Sequence, residues 1–104
     1  MIRLVEALPR GRTADVIGTQ LLRSATSVAA NYRAARRARS TAEFIAKLGI
    51  VEEEEDESLF WLELLGESGV LAADRLKSLA GEADELVAIT VASLKKAKAN
   101  RDRS

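Results

Sequence analysis

The chain has 104 residues, 16 Lys/Arg against 16 Asp/Glu, no Cys and no His. That length suits one domain and is too short for two. Without Cys or His the chain has no disulfides, no thiol nucleophile and no zinc–thiolate site, and it lacks the commonest general base and metal ligand. Hydrophobic residues make up 47% but aromatics only 4%, with one Pro and six Gly, a mixture that favours long helices packed by aliphatic side chains over a β-sandwich.

In chain order, Ile2, Leu4, Val5 and Leu8 read as the last turns of a helix that Pro9 ends, because the residue before a proline is pushed out of helical geometry. Pro9-Arg10-Gly11-Arg12 is then a turn. Thr13 is the expected N-cap of a second helix, with Asp15 in the first turn, where the helix dipole favours negative charge. Its seam of apolar or small residues is Val16 or Ile17, Leu21, Ala25, Val28, Tyr32 and Ala35, and no proline interrupts it before Ser40. Ser40-Thr41-Ala42-Glu43 is a capping box. It opens a third helix with a seam at Phe44, Leu48, Val51, Leu59, Leu62 and Leu65, and Gly69 stands at the left-handed position that ends it. Gly49 and Gly66 inside this helix each weaken it and each leave room for a neighbouring helix. A fourth helix is predicted from Ala73 to Lys98, with Leu76, Leu79, Ala83, Leu86, Thr90, Ser93 or Leu94, and Ala97 as its seam. Residues 100–104 are expected to form a disordered tail.

Short connections between long helices make neighbours antiparallel. The predicted fold is an all-α, antiparallel up-down four-helix bundle with a shortened first helix, one domain over residues 1–99. No apolar run reaches the length of a membrane span and no signal-peptide pattern opens the chain, so a soluble cytoplasmic protein is expected. Aliphatic stripes this long on so few helices leave apolar surface over, which points to self-association.

Charge is unevenly spread. Residues 1–48 hold nine Lys/Arg against three Asp/Glu, residues 49–68 hold eight acids and no base, and residues 69–104 hold seven bases and five acids. Arg33, Arg36 and Arg37 share a helical face by their three-and-four spacing; with Arg39, and Arg23 further upstream, they form a candidate phosphate-binding surface. The competing reading is a solvated face, or one that pairs with an acidic segment of a neighbouring helix or subunit. The run Glu52-Glu53-Glu54-Glu55-Asp56-Glu57 sweeps the whole helix circumference, so some of its carboxylates must point inward. Continuing the seam from Phe44, Leu48 and Val51 puts Glu55, then Ser58, in the core. A buried carboxylate needs a partner, and the second helix offers Arg23, Ser24, Ser27 and Asn31. A polar layer of Ser24, Ser27, Asn31, Glu55 and Ser58 is therefore expected, fixing helix register and oligomeric state. Phe60 and Trp61, adjacent on one helix, point apart: one into the core, the other to a helix or subunit contact.

The string Gln20-Leu21-Leu22-Arg23-Ser24-Ala25-Thr26-Ser27-Val28-Ala29-Ala30-Asn31, followed by Arg39-Ser40 and Glu43-Phe44, resembles the four-helix-bundle family first known from proteins encoded in intervening sequences of 23S ribosomal RNA genes. That bacterial family carries a Q-L-x-R-A-x-x-S-I-x-x-N run and a Ser-x-x-Glu-Phe start to the next helix. The resemblance implies an up-down bundle assembling into a ring-like homopentamer. A related accessory protein of diversity-generating retroelements shares the architecture and binds a reverse transcriptase and nucleic acid through a basic surface; for most members the function is not established. Two departures stand out. Only the end of the family's long first helix precedes Pro9, and the family's Glu-Gly after the Asn is replaced by Ala34-Ala35.

Catalysis and metal binding find no support in the residue types. Ser24, Ser27 and Ser40 have no His partner, no glycine loop cradles phosphate, and Glu52 with Glu55 alone on one helix make a weak transition-metal site. The expected protein is a non-enzymatic homo-oligomeric adaptor with no cofactor, no metal, no membrane and no small-molecule substrate. Its partners are itself and, through the basic face, RNA or a nucleic-acid-handling protein; the alternative is a structural protein–protein assembly module with no nucleic-acid role.

Overall fold

The computed structural model describes residues 2–103. Four helices follow one another: α1 (Ile2–Ala7), α2 (Arg12–Arg36), α3 (Thr41–Glu67) and α4 (Ala73–Arg103). They form an elongated bundle with extents of 52 × 21 × 16 Å. Among the described residues there is no β-strand, and no helix is long and apolar enough to cross a membrane.

The punctuation of the sequence accounts for most boundaries. Ser40 adopts an extended conformation and its Oγ accepts from the Glu43 N–H at 3.1 Å, while Glu43 Oε2 accepts from the Arg39 N–H at 3.3 Å. This is the reciprocal exchange of a capping box, shifted by one residue on its return leg. Gly69, at φ 80°, closes α3 in the left-handed conformation. Its N–H donates to the Gly66 carbonyl at 3.1 Å, and the Leu71 N–H returns to the Leu65 carbonyl at 3.0 Å. That reversal tucks Leu71 into the core.

Three boundaries differ from expectation. The helix α2 starts at Arg12 rather than after Thr13, because the Gly11 carbonyl already accepts the Asp15 N–H at 2.9 Å; no side chain caps it. It also ends at Arg36, four residues before Ser40, since Ser40 must be extended to cap α3. The helix α4 runs on through Arg103, so residues 100–103 are helical where a disordered tail was expected. No proline or glycine follows Gly81 to stop it, and Arg101 and Arg103 complement the dipole at its C-terminus. Ser104 lies outside the described residues.

The helix α3 sits at the centre. Leu21 and Leu62 share one end of the core while Ala35 and Leu48 share the other, so α2 and α3 are antiparallel. Likewise Leu76 approaches Gly66 near one end, and Leu94 packs with Leu48 and Val51 at the other. By contrast, α2 and α4 never approach within 8 Å between Cα atoms. They occupy diagonal corners of a square whose fourth corner α1 only begins to fill. α1 is docked on α2 through Gly18, where an added Cβ would meet Leu8 Cδ1 at 3.3 Å and Val5 Cγ1 at 3.4 Å.

Candidate functional site: a buried polar layer, a groove and a basic end

The core is in two parts. One cluster gathers Leu4, Leu21, Leu62, Leu65 and Leu71; the other gathers Ala35, Leu48, Val51 and Leu94. The buried polar residues Ser24, Glu55, Ser58 and Thr90 lie between them. Each sits in a helical seam where the periodicity demands an apolar side chain.

Ser58 Oγ lies 2.9 Å from Ser24 Oγ, joining α3 to α2. Thr90 Oγ1 donates to Glu55 Oε1 at 3.0 Å, joining α4 to α3. The second carboxylate oxygen, Glu55 Oε2, is buried and has no hydrogen-bond partner among the described residues. Burial pushes the Glu55 carboxyl above the usual carboxylate range; the Thr90 hydrogen bond opposes this and the neighbouring Glu52 charge adds to it.

The polar layer expected from the sequence is thus assembled in part. Ser24, Glu55 and Ser58 are in it, but Glu55 turns to α4 rather than to α2. Ser27 and Asn31 are half-buried and satisfy one another within α2: Asn31 Nδ2 donates to the Ser27 carbonyl at 2.9 Å and to its Oγ at 3.2 Å. Thr90, placed in the seam of α4 as a packing residue, is the missed partner. Its signal was the hydroxyl itself, at the level that antiparallel pairing sets opposite Glu55.

Arg23 stands apart from the other arginines. Its guanidinium pairs with Glu57 and, at 3.4 Å, with Glu54 Oε2, so it belongs to the α2–α3 contact. Trp61 Nε1 also donates to Glu57 Oε1, at 3.3 Å. Trp61 packs against the first core cluster while Phe60, half-exposed, meets its ring edge-on at 4.9 Å between centroids.

Arg33, Arg36, Arg37 and Arg39 are all exposed, and among the described residues their side chains make no ion pair. The antiparallel order brings the last turns of α4 to the same end, where Arg36, Arg39, Ala97 and Asn100 line one concavity. Lys95, Lys96, Lys98, Arg101 and Arg103 therefore join the α2 arginines. Residues 33–48 and 93–103 together hold ten bases against two acids, Glu43 and Asp102. This basic end is formed by two segments far apart in sequence, and only the first was identified from the sequence.

Between α2 and α4 runs an open groove of about 620 Å³. Ala25, Val28 and Ala29 form one wall, Leu79, Ala83 and Leu86 the other; Glu55 and Ser58 are its floor, and Ile2 and Arg3 of α1 close one end. Among the described residues no group of three or more Asp or Glu is placed to hold a metal ion.

Helices joined through a hydrogen-bonded polar layer define a helical-bundle protein. Residues 1–92 match the family described as 23S rRNA-intervening sequence protein, and the chain belongs to that family. Among solved structures it is similar to a protein with unknown function from the S23 ribosomal protein family of Bacteroides thetaiotaomicron VPI-5482. Identity is 36%, the TM-score is 0.75, and the match covers 77% of this chain and 74% of that one. No curated protein matches the chain.

Proposed function

We propose that this protein is a non-enzymatic, self-assembling helical adaptor that presents its basic end to RNA. The observation that carries the reading is the convergence of Arg33, Arg36, Arg37 and Arg39 with the lysines and arginines that end α4, around the concavity lined by Arg36, Arg39 and Asn100. Clustered guanidinium and ammonium groups of this kind neutralise phosphates and release counterions. Phe44 is the one aromatic side chain that lines this concavity, so the cationic groups dominate and the contact is chiefly with the phosphate backbone rather than with sequence. Self-assembly is supported by large apolar side chains left at the surface, among them Val16, Tyr32, Phe60, Leu86 and Ile89.

The test is fluorescence anisotropy of a labelled single-stranded RNA against salt concentration. Affinity should fall steeply as salt rises, and the triple replacement Arg36→Ala, Arg37→Ala, Arg39→Ala should flatten that slope by about three charges' worth. No retention of the RNA at low salt sinks the RNA reading. The alternative, a structural protein–protein assembly module, then stands on the exposed apolar residues alone.

A further inference from the structure

We propose that the groove between α2 and α4 is a binding site for a small amphiphilic cation, a primary ammonium on an unbranched apolar chain, held by the Glu55 carboxylate. The site is separate from the basic end and has the opposite charge preference.

The polar atoms along the groove single out one position. Thr26 Oγ1 already lies 2.8 and 3.0 Å from the carbonyls of Leu22 and Arg23. Ser58 Oγ is engaged by Ser24 Oγ and the Glu54 carbonyl, each at 2.9 Å. Glu55 Oε1 accepts from Thr90. That leaves Glu55 Oε2, in a residue only 7% exposed and with no donor among the described residues. Buried acceptors are rarely left so. The terminal torsion of a Glu is soft, so a small rotation presents this oxygen to the groove that the residue lines.

The surrounding charge selects a cation over a neutral donor. Glu82 stands on the rim, and Glu52 is close enough to act on Glu55. Arg3, at the closed end, is the single base lining the groove among the described residues, and α2 contributes no charged group to it. Neither Arg3 nor Glu82 forms an ion pair among the described residues. Burial drives Glu55 towards its protonated form. An ammonium takes the place of that proton and balances the carboxylate charge as well.

The apolar part of the groove sets the rest of the ligand. Leu79, Ala83 and Leu86 extend about 10 Å along α4. Thr90, which bonds Glu55, comes one turn after Leu86, so the carboxylate stands at the far end of this wall from Leu79. The volume of about 620 Å³ falls among small-molecule sites, which span about 300–1,000 Å³. An apolar trough with a carboxylate towards one end matches an alkyl chain with a terminal ammonium.

The probe is n-octylammonium, titrated calorimetrically into the full-length chain at pH 7. One saturable event per chain is expected. Its affinity should exceed by about tenfold that of octyltrimethylammonium, which has the same charge and chain but no N–H, and that of octanoate. Tenfold is about the worth of a charge-assisted hydrogen bond. Glu55→Gln should lower the octylammonium affinity by about as much, and Ala83→Phe, which fills the trough, should lower it too. Circular dichroism checks that both variants keep their helices; if either does not, the comparison of the two cations on the wild type decides alone. Absence of saturable binding, equal affinities for the two cations, or an unchanged affinity in folded Glu55→Gln overturns the proposal. Binding that appears only as the chain is diluted assigns the groove to a second copy and overturns it as well.

Discussion

Thr90 holds its hydroxyl 3.0 Å from Glu55 Oε1 and also 3.0 Å from the carbonyl of Leu86, one turn earlier in its own helix. A single hydroxyl proton serves one of these acceptors at a time. If Glu55 is ionised, Thr90 is divided between two oxygens. If Glu55 is protonated, its own O–H can donate to Thr90, and Thr90 is free to donate to Leu86. Burial favours the protonated acid, and the Thr90 hydrogen bond only partly offsets it.

A pH dependence follows. The folded-state pKa of Glu55 is raised above its ordinary value of 4.5, with burial the largest cause. The folded state thus holds a proton that the unfolded chain releases, and the contribution of Glu55 to stability is fully present below pH 4.5. It is lost as pH rises through the folded-state pKa. Glu55→Gln keeps the shape and supplies a permanent N–H donor to Thr90. Urea unfolding followed by Trp61 emission should show Glu55→Gln no more stable than wild type at pH 4 and more stable at pH 7.

Removing Thr90's hydroxyl isolates the other half of the pair. Thr90→Val leaves Glu55 Oε1 as well as Oε2 without a donor and should cost about 1–3 kcal/mol, the usual penalty for a buried polar group stripped of its partner. Adding Glu55→Leu to Thr90→Val should restore part of that loss, because an apolar pair needs no donor. A double variant no more stable than Thr90→Val, by the same urea titration, would show that the layer is held by something other than polar satisfaction.

Ser24 and Ser58 form the matching link between α2 and α3, at 2.9 Å and almost wholly buried. Each hydroxyl also has a local carbonyl, Leu21 O at 3.1 Å and Glu54 O at 2.9 Å. Neither Ser24→Ala nor Ser58→Ala strands its partner entirely. A double-mutant cycle should therefore give a coupling of about 0.5–1 kcal/mol, in the lower part of the range for neutral hydrogen bonds.

Two glycines of the α3 region should respond in opposite directions. Gly49 is helical and an added Cβ meets nothing within 4 Å. Gly49→Ala should stabilise by about 0.5–1 kcal/mol through helix propensity. Gly69 has φ 80°, so Gly69→Ala should cost about 1 kcal/mol for the left-handed conformation. Thermal unfolding monitored by circular dichroism reads both.

Much of this architecture was legible in the sequence because its signals are local. The Ser40–Glu43 box and Gly69 each declare a boundary within four residues, and of the seam read through Phe44, Leu48, Val51, Glu55, Ser58, Leu59, Leu62 and Leu65 all but Phe44 and Leu59 form the buried face of α3. Thr13 misled because a cap depends on where the preceding turn releases the chain, and here Gly11 releases it early. The tail misled because polar composition looks like disorder, whereas nothing after Gly81 breaks the helix. The Glu55 partner and the second half of the basic end were missed for one reason. Both depend on the relation of α3 to α4, which is set by packing of whole helices rather than by any short motif.

Because α2 and α4 each lean on α3 with no Cα atoms of the two within 8 Å of one another, the energetics of their outer faces are separable. Substitutions on the outer faces of α2 and α4 should combine by simple addition within one copy, as sites without shared neighbours do. Those on α3 should not, since each of its buried positions answers to two helices at once. Natural variation would then be freest on the flanking helices and most constrained along the central one, so that partners could be exchanged at the rim of the bundle while its spine stayed fixed.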